Sequence, residues 1–199
     1  MRILLSALIL LSSLSGYTQE TPSQPKPVTR PPAFAAGSIT NNIYRNSDLG
    51  IVYKIILGWV DRTTQIQDPE MTGRVLLATF EHPPEVKGDA INSAVIIAEE
   101  SLASYPGIKT SAEYFGMVTE AATSQGFKVV NEPYSATVGS KTLVRSDFSK
   151  ETGKVTMYQS SLVTLNKGYA VSFTVIGGSE DEVEQLVARL SFDSPTLKR

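Results

Sequence analysis

His82 is the only histidine in 199 residues, and it sits in Phe80-Glu81-His82-Pro83-Pro84, where an apolar run gives way to a loop. With Glu81 or Asp89 it could bind a metal ion or serve as a base. Adjacent residues on an extended segment point to opposite faces, which weakens Glu81 and His82 as co-ligands, so His82 is read as an exposed loop residue. Glu99-Glu100 could supply the paired carboxylates of acid–base chemistry if a cleft separated them suitably. Following the apolar run 94–98, they are expected instead at a solvated strand end. Glu180-Asp181-Glu182 open a helical segment, where negative charge complements the helix dipole. Arg145 and Asp147 share one strand face and are expected to form a structural pair across the sheet.

Trp59 is a residue type enriched at interface hot spots, although it more often caps a core. Tyr44, Tyr53, Tyr158 and Tyr169 alternate with other residues and could line a groove between sheet and helix, with core packing as the plainer reading. Weak partner or ligand candidates are therefore Tyr44, Tyr53, Trp59 and His82. No catalytic, cofactor-binding or metal-binding residue is assigned, and no cofactor is expected. The phosphate loop, the dinucleotide glycine fingerprint and the nucleophile elbow are all missing from the sequence. Zero cysteines exclude disulfides, thiol nucleophiles and Cys-ligated metal centres. With 18 basic and 20 acidic residues, no basic field calls for nucleic acid.

These residues need elements to hold them. Ile51–Leu57 alternates as a strand, preceded by a short strand at Tyr44 and the turn Asn46-Ser47-Asp48-Leu49-Gly50. Residues 60–73 read as loop with room for a helical turn, and Val75–Phe80 and Ala94–Ala98 are apolar runs of strand length, the second of which also fits a helix. Thr110 and Glu113 form a capping box for a helix that Gly126 stops. Phe127–Val130 follows as a short strand. Lys141–Phe148, Lys154–Leu165 and Tyr169–Ile176 read as a three-stranded meander, joined at Glu151-Thr152-Gly153 and Asn166-Lys167-Gly168. Ser179 and Glu182 suggest a second capping box. Val183, Leu186, Val187 and Leu190 then give the last helix one apolar stripe. Clustered strands with inserted helices argue for an α+β fold built on a central antiparallel sheet.

The N-terminus has a basic start, an apolar run Ile3–Leu14 and small residues beyond it, the pattern of a secretory signal peptide over 1–19. The run is too short for a stable membrane span. Residues 20–37 hold Pro22, Pro25, Pro27, Pro31 and Pro32 and are expected to be a flexible spacer. Residues 38–199 then form a single domain. Without a cysteine after the signal, the chain is expected to be exported to the periplasm or beyond as a soluble protein rather than a lipoprotein.

Tyr44-Arg45-Asn46, Gly50-Ile51-Val52-Tyr53 and Gly58-Trp59 resemble the opening of the PsbP-like superfamily. The later order is also similar: a helix at 110–126, the long meander with Tyr158-Gln159, then Gly168-Tyr169 and a last helix. The resemblance implies a central antiparallel sheet with helices packed on it, and binding or assembly rather than catalysis. The expected function is therefore an exported, non-enzymatic binding or assembly protein, its partner an unidentified protein or small ligand. Two alternatives stand beside it: a carboxylate- and His82-based hydrolase or metal-dependent enzyme, and a carrier of a small apolar ligand.

Overall fold

The computed structural model describes residues 34–67, 73–83 and 90–192. The expected signal peptide, most of the expected spacer and Asp89 lie outside these residues. Among the described residues, eleven strands pair into two antiparallel sheets, with two α-helices packed on them. The small sheet runs β1(Ser38–Thr40), β2(Ile43–Asn46), β3(Ile51–Lys54) and β11(Leu190–Phe192). The large one orders β4(Val60–Asp61), β5(Gly73–Phe80), β6(Ala94–Ser101), β10(Tyr169–Gly177), β9(Val155–Asn166), β8(Lys141–Thr152) and β7(Lys128–Val138). The fold is α+β, with the expected meander at the heart of the large sheet.

Each face of the large sheet buries its own core. On one face, Leu77, Ile97, Leu162, Val171 and Phe173 pack against Tyr44, Ile51 and Tyr53 of the small sheet. Val183, Leu186 and Val187 of α2(Glu180–Val187) complete that layer. On the other face, Ala78, Ile96, Val163 and Ile176 meet Tyr114, Phe115 and Val118 of α1(Ser111–Ser124). A strand covered on both sides needs apolar side chains or internally satisfied polar ones throughout, and all eight residues of β6 are buried, apolar from Ala94 to Ala98 and polar from Glu99 to Ser101. An irregularity in the β5–β6 register at Val75/Leu77 lets Leu76 and Leu77 both enter the same core.

That geometry overturns the expectation for Glu99 and Glu100, which are buried within β6. Period-two alternation sends the two carboxylates to opposite faces. Glu100 accepts hydrogen bonds from Tyr105 (3.0 Å) and Tyr114 (2.7 Å), so it ties α1 and the 3₁₀ turn Leu102–Ser104 to the sheet. Burial, together with the neighbouring Glu100, holds the Tyr114 hydroxyl in its protonated form. Glu99 faces the other core, beside Arg74.

Local signals are mostly honoured. Thr110 caps α1 with a complete capping box, and Gly126 follows its C-terminus at φ +87°. Lys167 and Gly168 take the positive φ values of a tight hairpin. Ser179 accepts from the Glu182 amide as expected, but the Glu182 carboxylate turns to the Gly178 N–H and the Ser93 hydroxyl. The second box is therefore only half formed.

Other differences lie in extents. The strand expected over Ile51–Leu57 stops at Lys54 and turns at Leu57-Gly58, where Gly58 has φ +92°. Leu190 leaves the helical stripe and pairs in β11 with Tyr53. β7 runs eleven residues instead of four, because Pro133 is tolerated on an edge strand with interrupted register. The end of the expected spacer belongs to the fold. Phe34 is buried against Tyr169 (ring centroids 5.1 Å apart), and Ala35 donates to Asp48 (2.9 Å). Asn46 and Tyr44 donate to the Ala35 and Ala36 carbonyls, at 2.7 and 2.9 Å.

The Tyr114–Glu100 contact should carry measurable stability. We expect Tyr114→Phe to cost about 1–2 kcal/mol, because a buried carboxylate loses one of its donors. A lowered urea midpoint with unchanged slope is the outcome to look for.

Candidate functional site

β7, β8 and β9 meet the start of α2 at a shallow cleft of about 60 Å³, lined by Val130, Arg145, Asp147, Tyr158, Ser160 and Glu184 among others. Strand pairing builds it. Arg145 and Asp147 are two apart on β8 and share a face. The register sets Asp147 opposite Ser160 and Arg145 opposite Tyr134. The i+4 step from Glu180 to Glu184 brings both acids to one side of α2, and both line the cleft.

Arg145 is the centre of the network. Its Nε donates to Asp147 Oδ1 at 2.9 Å, its Nη1 to Glu184 at 3.1 Å and its Nη2 to Ser160 at 2.8 Å, with a second close contact from Nη2 to Glu184. Asp147 is equally occupied. Ser160 and Arg145 donate to Oδ1, while Asn131 (3.1 Å) and Tyr134 (2.9 Å) donate to Oδ2. The guanidinium also lies 5.9 Å from the Tyr134 ring centroid.

The charges follow this geometry. Burial works against the Arg145 cation, but hydrogen bonding to Glu184 and the field of Asp147 outweigh it and raise its pKa. Burial would likewise raise Asp147, but donation from Ser160 and the Arg145 charge hold its carboxyl below the ordinary aspartate value. The Tyr134 hydroxyl is pushed up to about 12 by burial and by its bond to Asp147. Asp147 accepts from Ser160 and Arg145 on one oxygen and from Asn131 and Tyr134 on the other, so both oxygens are already engaged as acceptors. What the arrangement can do is fix a surface. It pins Tyr134 on the strand that carries the cleft-lining Val130, and both side chains stay substantially exposed, at 40% and 48%.

The residues singled out by sequence go elsewhere. Tyr44 and Tyr53 are fully inside the core between the sheets, and Tyr169 packs there too. Trp59 is partly buried against that core, while the neighbouring Leu57 projects into solvent. Tyr158, half-buried, is the one tyrosine of that set that lines the cleft. His82 is exposed, its Nε2 3.8 Å from Glu81, so the two reach one side despite being adjacent. Among the described residues, no group of three or more His, Cys, Asp or Glu could hold a metal ion.

Arg145 and Asp147 do pair, along one strand rather than across the sheet. Tyr134, Asn131, Ser160 and Glu184 were not singled out by the sequence. Their only signal is the strand register and the placement of α2, which no local spacing displays.

Comparison with known proteins adds little. No family model and no curated protein matches this chain. Among solved structures, it is similar to cyanobacterial PsbP from Synechocystis sp. PCC 6803, at 17% identity and TM-score 0.49 over 79% of this chain and 98% of that one. It is also similar to LpqN of Mycobacterium tuberculosis, a protein involved in cell envelope biogenesis, at 12% identity and TM-score 0.40 over 72% and 83% of the two chains. A third is PA94 of Pseudomonas aeruginosa, of unknown function, at 17% identity and TM-score 0.40 over 56% and 80%. Among the described residues, no helix is long and apolar enough to cross a membrane.

Asp147 gives the network a pH dependence. Because its folded pKa is depressed, its stabilisation is present above the unfolded value near 3.8 and is lost as pH falls through the folded one. Comparing Asp147→Asn with the parent protein across pH 2–7 should show a gap that is widest near neutrality and closes below about pH 4. Arg145→Met, which strands two acids without their cation, is expected to cost about 3–5 kcal/mol in chemical denaturation.

Proposed function

We propose that the protein is an exported, non-enzymatic binding or assembly protein, and that the face carrying Val130 and Tyr134 beside the α2 cleft receives its partner. The observation that carries this reading is the saturation of the polar network beneath that face. At its centre the side chains are committed to one another: Arg145 to two acids and a serine, Asp147 to four donors, and Ser160 to Asp147. Such a network favours a rigid platform, on which an aromatic anchor costs little entropy to bind.

The cleft itself supports a docking surface more than a carrier's pocket. Its volume of about 60 Å³ is well below the several hundred Å³ of small-molecule sites. The N-terminal pattern of a basic start and a short apolar run supports export, and with it a partner in the periplasm or outside the cell.

The test is capture from an envelope extract with the parent protein and with Tyr134→Ala and Val130→Asp. Val130→Asp sits at an exposed position and should leave the melting temperature nearly unchanged; Tyr134→Ala removes one donor to Asp147 and should lower it modestly, with the protein still folded at the temperature of the capture. We expect a specific partner whose recovery falls at least about tenfold in each variant, the loss typical of an interface anchor. Equal recovery by all three proteins would move the interface elsewhere. Turnover of a screened substrate that disappears in Ser160→Ala would replace binding by catalysis.

A further inference from the structure

The segment Phe34–Gly37 is held almost entirely through its main chain. Arg74 donates to the Phe34 carbonyl, Asn46 to that of Ala35 and Tyr44 to that of Ala36, while the Ala35 N–H donates to Asp48. The Phe34 ring fills the space beside Tyr169. Gly37, at φ +80°, turns the chain into β1; a Cβ there would meet Arg45 O and the Tyr44 ring at 2.7 Å. The path of this segment is therefore strongly specified.

At its upstream end stands Glu99, 2% exposed. Arg74 Nη2 lies 2.8 Å from Glu99 Oε1, and the Phe34 amide stands against the same carboxylate. Even so, neither carboxylate oxygen is met by a well-directed hydrogen bond among the described residues. Arg74 Nε is also buried and without a partner there. Asp48 adds a second negative charge to the field at Glu99, and Arg74 is the cation that opposes them. A buried carboxylate this poorly satisfied is costly unless a further donor or positive charge reaches it.

We propose that Phe34 is the amino terminus of the working protein, released by hydrolysis of the Ala33–Phe34 peptide bond, and that its α-ammonium is the missing partner of Glu99. An endopeptidase acting in trans, before the Phe34 ring is buried, supplies the catalysis. Water is the co-reactant: its oxygen completes the Ala33 carboxylate, and both of its protons pass to the Phe34 nitrogen, which becomes the ammonium. The product replaces one amide donor at Glu99 by three donors and a full positive charge. Two carboxylates, Glu99 and Asp48, then face two cations, Arg74 and the new terminus. The cut removes both the expected signal peptide and the proline-rich segment. It converts the Phe34–Gly37 segment from a passing stretch of chain into an anchored end. Burial pushes the Glu99 carboxyl up despite Arg74, which agrees with a site built for one more cation.

The test starts from the full chain with residues 30–33 replaced by Ile-Glu-Gly-Arg; because Phe34 is buried in the fold, factor Xa is applied in mild denaturant, the cut immediately before Phe34 is confirmed by mass, and the product is refolded. A second version carries the same four residues at 29–32 and is cut before Ala33. We expect the melting temperature at pH 7 to rise by about 2–4 °C on the first cut and to stay level on the second. The ammonium has a raised folded pKa, so its stabilisation is present below the ordinary α-amino value of about 7.7–8.0 and lost as pH rises through the folded value. The gain should therefore fade in alkaline buffer, and Glu99→Gln should abolish it. Equal responses to the two cuts, or no response to either, would overturn the proposal without needing the Glu99 variant to fold. Intact mass of the protein recovered from its own host should correspond to a chain beginning at Phe34; a chain beginning earlier would refute the processing step.

Discussion

Burial of β6 on both faces is the constraint from which the rest of the structure follows. An eight-residue strand with water on neither side must satisfy every polar group internally. Glu99 and Glu100 sit at its C-terminal end and, by alternation, demand partners in different layers. Glu100 finds them in Tyr105 and Tyr114, which fixes how α1 crosses the large sheet. Glu99 finds Arg74, whose other contact, the Phe34 carbonyl, brings the N-terminal segment across the edge of the two-sheet core. Two adjacent carboxylates thus organise opposite sides of the molecule.

The Arg145 network handles buried charge differently. Its guanidinium is shared among Asp147, Glu184 and Ser160, and Asp147 receives further donors from the edge strand. Four elements therefore converge: β7, β8, β9 and α2. Charges that satisfy one another this fully are poor reagents and good struts. The contrast with Glu99, whose oxygens lack well-directed donors, separates a finished polar network from one that still has capacity.

Legibility differed between elements for physical reasons. Both helix starts were readable because a cap is a contact between residues three apart. The meander was readable because Gly153 and Gly168 supply the positive φ of its turns. β11 was not, because Leu190 continues the helical spacing of Val183, Leu186 and Val187, and only the exposed pairing edge of β3 draws it out of the helix. The length of β7 was hidden by Pro133, a residue that breaks a central strand but not an edge. Glu99-Glu100 looked like a solvated end because charge usually marks a surface, and nothing local announces that tyrosines and an arginine wait on both sides. Phe34 was assigned to the spacer because prolines dominate the residues before it, although its aromatic ring belongs to the core.

By itself, the sequence determined the α+β class, the antiparallel meander, both helix caps and an N-terminal export pattern followed by a proline-rich stretch. It also excluded cysteine chemistry and the common nucleotide-binding and hydrolase motifs. These are properties of composition or of contacts within a few residues, where covalent spacing dictates geometry. Tertiary structure alone decided that there are two sheets, that Glu99 and Glu100 are interior, and that Arg145, Asp147, Ser160, Tyr134 and Glu184 form one network. The contacts of that network join residues up to 39 apart, and the small sheet pairs Tyr53 with Leu190. Strand register and helix docking bring them together, and both are settled by the competition to bury two apolar faces at once.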